Sequence, residues 1–233
     1  MRRIGLIGGM SWESSIEYER LINQEVRARL GGTASADLLI RSFNFADIEL
    51  LQQAGDWEQA GRVLATAAID LVAAGAELLI LCTNTMHQVA DAITDAVDVP
   101  FVHIADATTA AIHRAGLHTV GLLGTRYTME QPFYRDRLAH HGFDVRTPTD
   151  ADRKIVHDII YNELVQGIIT DESRDRTLAI VDSLVAEGCE GIIAGCTEIE
   201  LLVTAADVSV AYFPTTRIHA LAAVDASLNN PGR

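Results

Sequence analysis

The residue with the strongest case for chemistry is Cys196, because a thiol becomes a nucleophile and a base once it loses its proton. It follows the apolar run Gly-Ile-Ile-Ala-Gly at 191–195 and precedes a Thr-Glu pair. The run predicts a buried strand and the pair predicts a helix start. A helix N-terminus lowers the pKa of a thiol below its free value of about 8.5. The alternative is an ordinary small buried residue, which is the usual role of cysteine.

A second stretch of the chain mirrors the first. Residues 78–81 are the apolar run Leu-Leu-Ile-Leu, and Cys-Thr-Asn-Thr follows at 82–85. Gly-Ala-Glu at 75–77 matches Gly-Cys-Glu at 188–190 with an offset of 113 residues, which places Thr83 opposite Cys196. Two further matches occur in the same order, 4–8 with 120–124 and 99–104 with 208–213. They indicate a duplicated unit with two half-sites that face each other.

The residues around Thr83 allow more than one role. The Thr83 hydroxyl could donate a proton, bind a carboxylate or cap the helix that follows it. Neighbouring residues at a strand end point to opposite sides, so we expect Cys82 to point into packing if Thr83 points into the site. Cys189 precedes a strand and is interpreted as structural. His87 either orients the site or is a buried histidine bonded to the backbone.

Small polar residues at both strand ends could bind the carboxylate of a substrate. The set comprises Asn84, Thr85 and Thr197, together with the stretches 8–11 and 124–125. Each of them is also ordinary turn chemistry. Glu198 could bind a substrate ammonium, or it could simply favour a helix N-terminus electrostatically.

Strands alternate with helices along the chain, which predicts a doubly wound parallel α/β sheet in each of two similar lobes. The predicted strands are 3–7, 36–42, 77–81, 101–104, 119–123, 144–146, 191–194 and 208–212. The predicted helices are 14–29 (capped by Ser14 with Glu17), 57–74, 86–97, 107–115, 130–140, 151–167, 171–187, one from 198, and 215–227, while 47–53 is a short helix or loop. We expect an N-terminal lobe of 1–105 with 215–233, a C-terminal lobe of 106–214, and a site in the cleft between them.

Composition narrows the class of partner. The 233 residues carry a net charge of −14, which disfavours nucleic acid and anionic membranes because phosphate binding needs a basic patch. No apolar run approaches the roughly 20 residues of a membrane helix. The chain enters its first strand at once, so nothing resembles a signal peptide. Three cysteines fit a reducing cytoplasm better than a disulfide framework.

The sequence also predicts chemistry without a cofactor or a metal. The single lysine, Lys154, lies in a polar helical stretch, which argues against a pyridoxal Schiff base. Gly-Leu-Ile-Gly-Gly at 5–9 lacks the spacing of a dinucleotide fingerprint. No histidine and carboxylate spacing indicates a zinc site. We therefore expect a small-molecule substrate.

Five motifs occur in order along the chain: Ile-Gly-Leu-Ile-Gly-Gly-Met-Ser-Trp-Glu-Ser from 4, Cys-Thr-Asn-Thr-Met-His from 82, Leu-Gly-Thr-Arg-Tyr-Thr-Met from 123, Gly-Cys-Thr-Glu-Ile from 195, and Thr-Arg-Ile-His-Ala from 216. Together they resemble the aspartate/glutamate racemase family, and the similarity runs over essentially the whole chain. The resemblance implies two α/β lobes, an amino acid bound between them, and cofactor-independent inversion at Cα. It also implies a homodimer.

The chain departs from the family pattern where the first catalytic cysteine is expected. Thr83 holds that position, as in a branch described as L-aspartate/glutamate-specific or broad-specificity racemases. The resemblance therefore assigns Thr83 and Cys196 as the catalytic pair. It implies that substrate contacts come from Met10, Gln52, Asn84, Thr85, Thr125 and Thr197. Val165 replaces a substrate-binding lysine and Pro214 replaces an aspartate of relatives, and both changes bear on substrate choice.

The expected reaction is two-base α-proton transfer on L-aspartate, L-glutamate or a related amino acid. Rival functions on the same scaffold are those of hydantoin racemases, maleate isomerases and arylmalonate decarboxylases. A non-catalytic amino-acid-binding module is the alternative from another class. Exchange of the α-proton with solvent separates turnover from binding alone.

Overall fold

The computed structural model of the protein describes residues 1–229. The chain divides into two compact units. Unit 1 comprises Met1–Ile104 and the described residues from His219 onward, and unit 2 comprises Ala105–Ile218. Within the described range, no helix is both long enough and apolar enough to cross a membrane.

Unit 1 is built on a parallel sheet of four strands with the order β2-β1-β3-β4. The strands are β1 (Ile4–Gly8), β2 (Leu38–Ser42), β3 (Leu78–Leu81) and β4 (Phe101–Val102). The helices are α1 (Trp12–Leu30), α2 (Phe45–Ala54), α3 (Trp57–Ala73) and α4 (Ala90–Thr94), with a 3-10 turn at Thr85–Val89. Unit 1 also takes residues from the last helix of the chain, α11 (Thr215–Leu228).

Both faces of this sheet are buried, because alternate strand residues belong to different apolar clusters. Ile7 and Leu81 pack with residues of α3, whereas Leu6 and Ile80 pack with residues of α1 and α11. A parallel sheet covered on both faces needs strands that are apolar throughout, as β1 and β3 are.

Unit 2 repeats the plan with the strand order β6-β5-β7-β8. The strands are β5 (Thr119–Gly124), β6 (Asp144–Arg146), β7 (Gly191–Gly195) and β8 (Ala211–Pro214). The helices are α5 (Ile104–Ala115), α6 (Arg126–Glu130), α7 (Pro132–His140), α8 (Asp150–Asn162), α9 (Asp171–Ala186) and α10 (Thr197–Leu202). The predicted fold class, two similar parallel α/β units, is confirmed.

The strand register reproduces the duplication seen in the sequence. Ile4 pairs with Leu78 in unit 1, and the residues 116 and 113 positions later, Val120 and Gly191, pair in unit 2. In both units, a glycine of the first strand also lies against a side chain of the neighbouring strand. A Cβ on Gly5 would lie 2.5 Å from Leu79 Cδ2, and one on Gly121 would lie 2.9 Å from Ile192 Cδ1.

The match of 99–104 with 208–213 has an offset that is wrong by two residues. Leu79 pairs with Phe101 and Ile192 pairs with Tyr212, so β4 and β8 correspond with an offset of 111 residues rather than 109. The predicted strand 208–212 accordingly lies too early. Val208 is apolar because it packs against the core of unit 2 from outside the sheet, after a turn in which Asp207 accepts the Thr204 N–H at 2.8 Å.

Several predicted helices are shorter than expected, and α1 starts earlier. The Ser11 hydroxyl, rather than that of Ser14, caps α1 by accepting the Ser14 N–H at 3.3 Å. The predicted helix 130–140 is α7, which begins at Pro132, and Glu130 instead ends the unpredicted helix α6; Pro132 disfavours helical backbone in the residue between them. The predicted helix 86–97 is the 3-10 turn followed by α4, and the predicted helix 151–167 ends at Asn162.

Candidate active site

The first half of the candidate site lies where β1 and β3 end side by side in unit 1. The Cys82 N–H donates to the Ile7 carbonyl at 2.9 Å, which extends the ladder one residue past β3. The Ser14 hydroxyl, from the first turn of α1, donates to the Cys82 carbonyl at 3.1 Å. The polar stretch 83–85 follows, with Asn84 and Thr85 buried and Thr83 half-buried.

Cys82 lies in the core, in the cluster that contains Leu6 and Tyr18. It is fully buried, and burial raises the pKa of its thiol. Cys82 is therefore an apolar packing residue, as the alternation of side chains along the strand predicts for the neighbour of a residue facing the site.

Two substrate-contact residues implied by the resemblance, Met10 and Gln52, are also in unit 1. Met10 is buried in the apolar cluster that also contains Met86. Met86 is the residue that directly follows the 83–85 stretch. Gln52, on α2, is buried and its amide donates to the Met86 sulfur at 3.1 Å. The structure thus links Met10 and Gln52 to the chain that follows β3.

The second half of the site lies where β5 and β7 end in unit 2. Gly124 pairs with Gly195, so Thr125 and Cys196 each directly follow a paired residue. The Thr125 hydroxyl caps α6 by accepting the Thr128 N–H at 3.3 Å.

Thr197 opens α10 and is fixed to the start of α11. Its hydroxyl oxygen lies 2.8 Å from that of Thr216. The Thr216 N–H donates to the Glu200 carboxylate at 2.8 Å, and the Thr215 hydroxyl donates to the Ala194 carbonyl at 2.7 Å. Residues 215 and 216 therefore hold the end of β7 and the beginning of α10 in place.

The Cys196 thiol is a protonated donor in this structure. It is 7% exposed and donates to Glu198 Oε2 at 2.9 Å. Burial raises the pKa of the thiol well above its ordinary value, and the charge of Glu198 raises it further. The N–H groups of Glu198 and Ile199 lower it by less. The expected lowering by the N–H groups at the helix start is present but smaller than the opposing effects, so the expectation of a pKa below the free value is wrong.

Glu198 has a role that the sequence interpretation missed. It lies in the first turn of α10, as its second sequence interpretation expects, and its carboxylate also accepts a hydrogen bond from the Cys196 thiol. The signal available in the sequence was the position of Glu198, two residues after a cysteine that directly follows a strand.

Three other residues of unit 2 singled out from the sequence, Cys189, Val165 and Pro214, lie in packing or sheet positions. Cys189 is buried in the apolar cluster that also contains Cys196, and Val165 packs against that cluster. Pro214 ends β8 and pairs with Ala194. All three cysteines of the chain are free.

Comparison with known proteins identifies the family of this chain and the fold that it shares. The family model described as Asp/Glu/Hydantoin racemase matches residues 7–223. The structure of a candidate Asp/Glu racemase from Yersinia pestis is 55% identical, with a TM-score of 0.92 over 98% of this chain and 100% of that one. An aspartate racemase homologue from Pyrococcus horikoshii OT3 is 34% identical, with a TM-score of 0.85 over the same shares of the two chains.

A curated relative, the broad specificity amino-acid racemase RacX of Bacillus subtilis, is 24% identical over 147 residues, 62% of each chain. The chain spans roughly two thirds or less of the length of the curated relatives it matches. The family match itself covers nearly all of the sequence. The chain therefore belongs to the Asp/Glu/hydantoin racemase family, a family of isomerases.

Proposed function

We propose that the protein is a cofactor-independent amino-acid racemase that acts on L-aspartate, L-glutamate or a related amino acid. The observation that carries the proposal is the Cys196 thiol bonded to the Glu198 carboxylate at 2.9 Å, directly after β7. The duplicated register supports Thr83 as its counterpart, because Thr83 follows β3 at the equivalent position. Each unit then supplies one acid-base group.

The first step is proton removal at the Cys196 side. The thiol proton moves from Sγ to Glu198 Oε2, and the resulting thiolate takes the α-proton from the L-amino acid. The electron pair of the broken C–H bond moves into the substrate carboxylate, which becomes an enediolate. Asn84, Thr85, Thr125 and Thr197 are the proposed donors to its oxygens, and preorganised donors of this kind are often the largest contribution to catalysis.

The second step is proton delivery at the opposite face by Thr83. Its hydroxyl gives a proton to Cα, and water then gives one to the Thr83 oxygen, which the partial exposure of Thr83 allows. Glu198 releases its proton to the hydroxide so formed, through solvent, which restores both groups. A hydroxyl is a far weaker acid than a thiol near neutral pH. We therefore expect a slow enzyme with unequal kcat values in the two directions. Because the two enantiomers have equal free energies, kcat/KM is the same in both directions and the final ratio is one to one.

Chiral chromatography of incubations with L-amino acids tests the proposal. We expect D-enantiomer to form from L-aspartate, L-glutamate or a relative, and Cys196→Ala to lower the rate by at least roughly 100-fold, the usual loss of a general acid-base group. Cys189→Ala is the matched control, because it removes a buried thiol from the same cluster. Binding of these amino acids without turnover would make the protein a binding module, and turnover of hydantoins or maleate alone would favour the rival enzymes.

Assembly and location belong to the proposal as well. We propose a homodimer, on the resemblance stated above, and a cytoplasmic location, on the use of cysteine. Sedimentation of the purified protein tests the first, with a mass of twice 25.3 kDa as the expected result and a monomer as the contrary one.

A further inference from the structure

Three histidines form a buried cluster in unit 1, and one of them contacts the backbone of Thr83. His87, His103 and His219 are each at most 8% exposed. The ring centroids of His87 and His103 are 4.5 Å apart, and those of His87 and His219 are 5.7 Å apart. The proposed reaction uses none of these side chains directly.

The hydrogen bonds of His87 define which of its nitrogens carries the proton. The Ile104 N–H donates to His87 Nε2 at 3.2 Å. A backbone N–H can only donate, so Nε2 must be the unprotonated nitrogen. His87 Nδ1 lies 2.7 Å from the Thr83 carbonyl oxygen, which can only accept. Nδ1 therefore carries the proton and donates it to Thr83.

The same reasoning applies to His219, which packs against His87. His219 Nε2 lies 2.7 Å from the Val102 carbonyl and must donate to it. His219 Nδ1 then accepts, and the Tyr18 hydroxyl donates to it at 2.8 Å. His219 thereby connects α1, the end of β4 and α11 around the His87 ring.

The position of Ile104 explains why His87 is held so firmly. Ile104 is the first residue of α5, and the first N–H groups of a helix have no partner within the helix. His87 Nε2 supplies that partner, while Nδ1 holds the Thr83 carbonyl. One imidazole thus connects the start of α5 to the backbone of the residue proposed to deliver the proton.

We propose that His87 is a positioning residue for Thr83: as a neutral imidazole protonated on Nδ1, it orients the Thr83 backbone and hence its hydroxyl toward the substrate Cα. This inference rests on the proposed racemase function. It assigns to His87 the geometry of one face of the reaction only, the face at which Thr83 acts. Proton removal by Cys196, in the other unit, does not depend on it.

Two substitutions separate the two hydrogen bonds of His87. The amide of His87→Asn reaches the position of Nδ1 and keeps the donor to the Thr83 carbonyl. The amide of His87→Gln reaches the position of Nε2 and keeps the acceptor for the Ile104 N–H. Each variant removes one of the two hydrogen bonds between His87 and the backbone, so their costs to stability are similar.

The measurement is the ratio of inversion to α-proton exchange for an L-substrate in D2O. Cys196 alone can exchange the proton, whereas inversion also needs Thr83. We expect His87→Asn to keep the wild-type ratio within about twofold and His87→Gln to lower it about tenfold, which corresponds to one hydrogen bond of typical strength. Equal ratios in the two variants, with circular dichroism showing both folded, would overturn the inference. A merely structural role would lower exchange and inversion together.

A second measurement does not need activity. Long-range ¹H–¹⁵N correlation spectra report the tautomer of each histidine, and we expect the His87 ring to be neutral with its proton on Nδ1 near neutral pH. A proton on Nε2 would overturn the inference even in an active enzyme. If the wild type turns over no substrate, the proposed function fails and the positioning role fails with it. The tautomer still decides separately whether His87 donates to the Thr83 carbonyl.

Discussion

At the scale of single residues, the pair formed by Cys196 and Glu198 is the main chemical feature. The thiol donates to the carboxylate at 2.9 Å, and this carboxylate is among the causes that raise the pKa of the thiol. In the proposed reaction, the carboxylate takes the thiol proton when substrate binds. Under that proposal, reactivity depends on Glu198 as much as on the cysteine.

Replacement of Glu198 by glutamine separates these two effects. Glu198→Gln removes the negative charge beside the thiol, so the pKa of Cys196 falls and its thiolate absorbance near 240 nm appears at lower pH. Racemisation falls as well, by roughly 100-fold or more, because no base remains to take the thiol proton.

The control for this measurement is the difference spectrum against Cys196→Ser, which isolates one thiol of the three. A Glu198→Gln enzyme with full activity would show that the carboxylate does not receive the proton. A thiolate that appears only at higher pH in this variant would show that the charge of Glu198 does not raise the pKa of Cys196.

The sequence predicted part of this residue chemistry. The alternation of side chains past β3 correctly placed Cys82 in the apolar core. The state of the Cys196 thiol could not be predicted, because it depends on burial in a cluster with residues distant in sequence, such as Val156 and Tyr212, and on the rotamer of Glu198.

At the scale of elements, His219 joins α11 to α1 and β4 and makes the fold sensitive to acid. Its ring is fully buried, and burial lowers its pKa from about 6.5 to about 4. The unfolded chain therefore binds a proton at this histidine between these pH values while the folded protein does not.

We expect the free energy of unfolding to decrease as pH falls from about 6.5 to about 4, with His219 contributing up to about 3 kcal/mol of that loss. Urea unfolding at a series of pH values measures it. His219→Gln should show a shallower decrease over this window, whereas His140→Gln, at an exposed position, should match the wild type. Parallel curves for all three proteins would contradict the assignment.

The elements themselves were predicted where periodicity is strong. Strands β1, β3, β5 and β7 were located to within a residue or two because they are apolar throughout. Strand β8 was misplaced because Val208 and Val210 are apolar for packing outside the sheet. The 3-10 turn at Thr85–Val89 falls within the predicted helix 86–97 because α4 follows it directly.

At the scale of the whole molecule, the duplication explains why two different residues are assigned equivalent roles. The two sheets share one strand order and one register, so Thr83 and Cys196 each follow the third strand of their unit. Inversion at a carbon needs one group that removes a proton and another that returns one to the opposite face. A duplicated fold supplies two such positions, and here one has a hydroxyl and the other a thiol.

Deuterium exchange combined with chiral analysis of one L-substrate tests this account most directly. In D2O we expect the wild type to produce D-enantiomer that carries deuterium at Cα. Thr83→Val should exchange the α-proton of the L-enantiomer without inversion, and Cys196→Ala should do neither. Inversion by Thr83→Val at the wild-type rate, or exchange of the L-enantiomer by Cys196→Ala, would contradict the assignment of the two groups.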